Sequence, residues 1–137
     1  YKMDVGATAD EGSYAGSYST VFVPPSEPGA AMITWGGGSS SYIQGNPLYL
    51  VVKDGNHEPY WYIFDLLNLT VQVNGAGNLQ SYSWNGTDEI RVEGFWPAGG
   101  AISHVDIVGV AVPDNGLTAA MLGLGVLGVG YMARRKS

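Results

Sequence analysis

The sequence predicts an all-β fold, an antiparallel β-sandwich of jelly-roll type over residues 1–111, followed by one apolar C-terminal α-helix over 117–137. Three observations predict it. Glycine accounts for 21 of 137 residues while charged residues are only 13%, a balance that disfavours helices and favours short strands joined by tight turns. Breaks then recur about every 8–12 residues, the spacing of sandwiches and barrels. Finally, residues 117–133 form a run without a single charge.

The elements follow in chain order. Residues 17–23 (SYSTVFV) are β-branched and aromatic, and PPSEPG ends them, because proline lacks the amide that a ladder needs. Residues 31–35 (AMITW) run into the flexible GGGSSS. Residues 48–53 (LYLVVK) meet Asp54-Gly55-Asn56, a strong turn signal. Residues 60–67 (YWYIFDLL) and 69–73 (LTVQV) follow, then the turn NGAGN. Residues 89–93 (EIRVE) and 101–112 (AISHVDIVGVAV) alternate apolar with polar side chains, the signature of a half-buried strand. A short helical turn is expected near 65–68, and residues 1–16 read as an edge strand or a lead-in. Roughly seven to nine strands result.

The tail differs in kind. As a helix, residues 117–133 would span about 26 Å, the low end for crossing a hydrocarbon core. Arg134, Arg135 and Lys136 follow at once, as a cytoplasmic-side stop would. Pro113-Asp114-Asn115-Gly116 precedes it, with Asp114 or Asn115 able to cap the first turn. Ala119, Gly123, Val126 and Gly130 fall on one helical stripe, where small side chains let a second backbone approach closely. The membrane, or other copies of the chain, is the expected partner of residues 117–133.

Val112-Pro113-Asp114-Asn115-Gly116, the Gly/Leu-rich apolar segment and the basic end together resemble the PEP-CTERM class of bacterial sorting signals, in its VPDSG-type variant. Asn115 stands where that variant has serine. The resemblance extends to YLVVKDGNH (49–57), WNGTD (84–88) and FWP (95–97), which look like the ectodomains of such exported proteins. It implies export across the inner membrane of a Gram-negative-type cell and recognition by an exosortase-like transpeptidase at the motif formed by residues 112–116. On that reading residues 112–116 are sorting motif and linker, and the protein is initially anchored in the inner membrane by its C-terminal helix.

Charge and chemistry exclude more than they propose. Residues 1–113 carry Lys2, Lys53 and Arg91 against eleven acids, a net of −8, so phosphate counterions have nothing to replace them and nucleic acid is excluded as a partner. No cysteine is present, which removes disulfides and thiolate metal sites. His57 and His104 lie far apart, and a relay of Ser103, His104 and Asp106 is discounted on the ground that neighbouring strand residues point to opposite faces. No cofactor and no catalytic residue is expected. Asp54, Asn56 and Asp88 are weak Ca²⁺ candidates, because a calcium site wants six to eight oxygens and two turns would have to converge.

Aromatic residues are the better candidates for binding. Trp35, Tyr60, Trp61, Trp84 and Trp96 either fill the core or form a glycan or subunit platform. Asn68-Leu69-Thr70 and Asn85-Gly86-Thr87 match the N-glycosylation pattern, idle in a bacterium. The expected function is a non-enzymatic exported structural protein of the cell surface or extracellular matrix, self-assembling into a filament or sheath through the Gly-rich helix or through sheet edges. The alternatives are a carbohydrate-binding module acting on exopolysaccharide and a single-helix accessory subunit of a membrane complex.

Overall fold

The computed structural model describes residues 1–73, 78–97 and 99–109. The predicted C-terminal helix, its stripe, the basic stop and the motif at 112–116 all lie outside the described residues, and among those residues no helix is long and apolar enough to cross a membrane.

The described chain is all-β, with every pairing antiparallel. Nine strands occur in the order β1 (Lys2–Asp4), β2 (Tyr18–Val23), β3 (Ala30–Trp35), β4 (Leu48–Asp54), β5 (Trp61–Asp65), β6 (Leu69–Val73), β7 (Asn78–Tyr82), β8 (Ile90–Val92) and β9 (Ile102–Gly109). They form a four-stranded sheet of order β1-β9-β4-β5, a three-stranded sheet β2-β3-β8 and the hairpin β6-β7. The expected strands appear within a residue or two, and residues 110–112 of the expected strand 101–112 lie outside the described residues. Residues 66–68 form a single turn and not a longer helix, with Asn68 N donating to Asp65 O at 3.4 Å. The Asp65 carboxylate accepts the Leu67 amide at 3.0 Å and Asn68 Nδ2 at 2.8 Å, a side-chain substitute for backbone turn bonds. The lead-in supplies β1, and β7 was not foreseen.

β4 and β9 make the centre of the larger sheet. Along β4 burial alternates strictly, so Leu48, Leu50 and Val52 point inward with the period of a strand. Across from them Val105 is 0% exposed and Ile107 3%. Tyr18, Ala31, Ile33 and Val92 of the smaller sheet join the same apolar cluster, so both sheets contribute to one core.

Aromatic side chains close that core at two places. On one flank Tyr62, Phe64, Phe95 and Trp96 pack edge-to-face and tilted, with ring centroids 4.1–5.5 Å apart, a favoured geometry for rings. At the other, the buried Tyr18 hydroxyl donates to Gly86 O at 2.6 Å and accepts the Ile43 amide at 2.7 Å. Burial pushes the Tyr18 phenol above its ordinary pKa, with the Ile43 amide opposing. Gly86 is required there: its φ is +87°, and a Cβ would collide with Ile43 O and the Tyr42 ring.

Candidate functional site

The two faces of the four-stranded sheet carry different chemistry. The inward row Met3, Val105, Val52 and Tyr62 is uncharged, whereas the next row, Asp4, His104, Lys53 and Trp61, is polar and outward. A second outward row runs Lys2, Asp106, Val51 and Ile63. Both outward rows pass from charge at the β1 edge to apolar surface at the β5 edge.

At the charged end His104 lies between two carboxylates. Its Nδ1 is 3.4 Å from Asp4 Oδ1 and its Nε2 3.2 Å from Asp106 Oδ2. Lys2 Nζ is 2.8 Å from Asp4 and 3.6 Å from Glu11. Burial raises the Asp106 pKa, against the opposing charges of His104, Lys2 and the N-terminal ammonium. This corrects one premise of the sequence reading. His104 and Asp106 are two residues apart and share a face, so they do meet. The relay still fails, for a different reason: Asp4 holds the second ring nitrogen, and Ser103 is the extra residue at the register shift opposite Lys53 and Asp54. With one ring nitrogen against Asp4 of β1 and the other against Asp106 of its own strand, His104 bridges β1 to β9.

At the apolar end Trp61 is 51% and Ile63 66% exposed. Lys53 Nζ lies 5.4 Å from the Trp61 ring centroid, within cation–π range. The His104 ring meets Trp61 edge-on at 5.7 Å. Tyr60, just before β5, is 46% exposed.

The other predicted aromatics are placed differently. Trp84 is 4% exposed, packs on Tyr18 and donates Nε1 to Asp88 O at 2.8 Å; it is a core residue with no face free for a ligand. Trp96 donates to Gly29 O at 2.9 Å from within the aromatic flank. Trp35 meets Tyr42 edge-on and donates to Ser41 O at 3.2 Å. Only the Tyr60–Trp61 pair, of the five, offers an exposed ring surface of about half its area.

The calcium candidates serve separate turns. Asp54 occupies the last inward position of β4, with its side chain 0% exposed. Its Oδ1 accepts the amides of Asn56 at 2.8 Å and His57 at 3.1 Å, while Oδ2 has no hydrogen bond among the described residues. Burial works to raise the Asp54 pKa, but the amides of Asn56 and His57 outweigh it and hold the carboxyl below its ordinary value. Asp88 accepts the Tyr82 hydroxyl and donates its own amide to Asn85 Oδ1 at 2.9 Å. Among the described residues no three His, Asp or Glu side chains converge on a cation position.

An apolar cleft of about 220 Å³ opens between β5 and β8, lined by Leu50, Phe64, Leu66, Ile90, Val92 and Phe95 among others. It lies between terminal strands of the two larger sheets. Compared with protein-family models, curated proteins and solved structures, the chain matches none.

Proposed function

We propose that this chain is a non-enzymatic exported protein of the cell surface or matrix, whose described part is a β-sandwich of jelly-roll type that works by contact. The single core built from both sheets supports the sandwich. One observation carries the functional reading: a half-exposed Trp61 and a two-thirds-exposed Ile63 stand side by side at the β5 rim of the outward sheet face. Large apolar groups grouped at a sheet edge mark contact sites. The address is supported by sequence alone, through Val112-Pro113-Asp114-Asn115-Gly116, the apolar 117–133 and the basic end, which would bring the chain to an exosortase-like transpeptidase.

The test is to express the full chain in an exosortase-bearing bacterium and in the same strain lacking that enzyme, then to measure surface-exposed protein by protease shaving. Surface material should fall at least tenfold without the enzyme, and equally when residues 112–116 are scrambled. Unchanged display in both cases would remove the reading.

A second reading, a carbohydrate-binding module for exopolysaccharide, is favoured by the adjacent exposed rings of Tyr60 and Trp61. Saturable quenching of tryptophan fluorescence by cell-derived polysaccharide, lost in Trp61→Ser, would establish it. Lys53 already occupies one side of the Trp61 ring, which argues for a protein contact instead.

A further inference from the structure

We propose that β5 is where a second copy of this chain joins, edge to edge and antiparallel, about a two-fold axis at Ile63. The inference rests on the contact-surface reading above and names the partner.

The ladder shows which backbone groups are free. Asp54 N donates to Tyr60 O at 2.8 Å and Leu66 N to Leu48 O at 2.9 Å. In an antiparallel pair bonded residues alternate, so with the observed β4–β5 register Tyr62 and Phe64 bond to β4. Trp61, Ile63 and Asp65 therefore turn their N–H and C=O groups outward, and neither Trp61 nor Ile63 has a backbone partner among the described residues. The same residues carry the exposed side chains.

Of the other terminal strands of the two larger sheets, β1 and β8 are blocked, as edges usually are. β1 is only three residues long and is bridged by Glu11, which exchanges both backbone bonds with Lys2. β2, six residues long, meets Pro24-Pro25 only beyond its last residue. β8 is three residues with Arg91 at its centre and Glu89 and Glu93 on either side. β5 is five residues long and presents the exposed Trp61 and Ile63 at outward positions, with Asp65 the one charge there.

The edge is also complementary to itself. An antiparallel pairing about Ile63 sets Ile63 beside its own copy and each Trp61 opposite the partner's Asp65. Lys53, 5.4 Å from the Trp61 ring, then lies in one outward row with the partner's Asp65, opposite to it in charge. A two-fold contact of this kind closes on itself, leaving the tail free to make a different one. An edge that adds a strand gains backbone bonds and side-chain pairs together.

The chain has no cysteine, so single introduced thiols report register cleanly in the full-length protein. Under mild copper–phenanthroline oxidation, Ile63→Cys should form a covalent dimer at least tenfold faster than Val108→Cys, which is also exposed but lies on a central strand. Trp61→Cys alone should be slow, and an equimolar mixture of Trp61→Cys with Asp65→Cys fast. Equal rates at all positions, as association through the tail would produce, overturn the proposal. A second variant, Ile63→Pro, removes only an outward N–H, which an edge strand tolerates. It should keep the wild-type circular dichroism and weaken the dimer at least tenfold by sedimentation velocity; an undiminished dimer overturns the proposal too. Surface display, scored separately, distinguishes the two failures: a displayed monomer sinks this inference alone, and a dimer that is never displayed sinks the export reading alone.

Discussion

The inward and outward faces of β4 interleave residue by residue, yet they respond to opposite demands. Leu48, Leu50 and Val52 are 0–2% exposed and belong to the core to which both sheets contribute, while the alternate residues Val51 and Lys53 belong to the charged-to-apolar rows outside. The difference teaches that the fold rests on one face of this sheet, while the other carries the contact surface proposed above. Substitutions a single residue apart should then differ several-fold in cost. Asp54 is the exception that sharpens the rule, a carboxylate in an inward position that the backbone amides of its own turn make tolerable.

The comparison breaks most visibly at Leu50. Leu50→Ala removes a side chain shared by the core and the apolar cleft, and should cost about 2–5 kcal/mol in urea unfolding. A cost under 1 kcal/mol would mean the cleft collapses freely and the inward face is looser than its burial implies.

Asp54→Asn should come next, at about 1–3 kcal/mol near neutral pH, because it removes the charge that the turn amides bind. The pH dependence carries a definite sign. The folded carboxyl is held below its ordinary value, so its contribution is complete above the unfolded value near 3.9 and is lost as pH falls through the lower folded value. Wild type and variant should therefore converge in stability as pH is lowered from about 5 to about 2, followed by chemical denaturation at each pH. A gap that stays constant over that range would assign the effect to shape and not to charge.

Trp61→Ser should be the mildest, within about 0.5 kcal/mol of wild type in the monomer, even though it deletes the largest side chain of the three. A loss comparable to that of Leu50→Ala would show that the outer face holds the fold together after all.

Much of this architecture was legible from residue pattern. LYLVVK and AISHVDIV carry alternation that survives into β4 and β9, and proline or Asp-Gly-Asn marks where strands stop. β7 was missed because NLQSY has one aliphatic residue and no β-branched one, so nothing in its own composition announces a strand; pairing with β6 decides it. Between core and platform the sequence leaves Trp84 open, because its place depends on Tyr18 and on Asp88 O, and only the latter is near in sequence. Half of the His104 bridge was available, since His104 and Asp106 are two apart on one strand. The other half, Asp4, is a hundred residues away and needs the β1–β9 pairing. Side-chain periodicity sorts faces well, but which strand is left at an edge is a property of topology.

The hydroxyl of Tyr18 has a consequence for the order of folding. One oxygen ties β2 to segments 25 and 68 residues further along the chain, and both loops must close before either bond exists. Loop closure of that kind costs entropy that local turns do not. The hairpin β6-β7 and the β4–β5 ribbon can assemble early from neighbouring residues, whereas the knot at Tyr18, Ile43 and Gly86 can form only once the distant strands have arrived. It belongs to the last events of folding, and its loosening to the first events of unfolding.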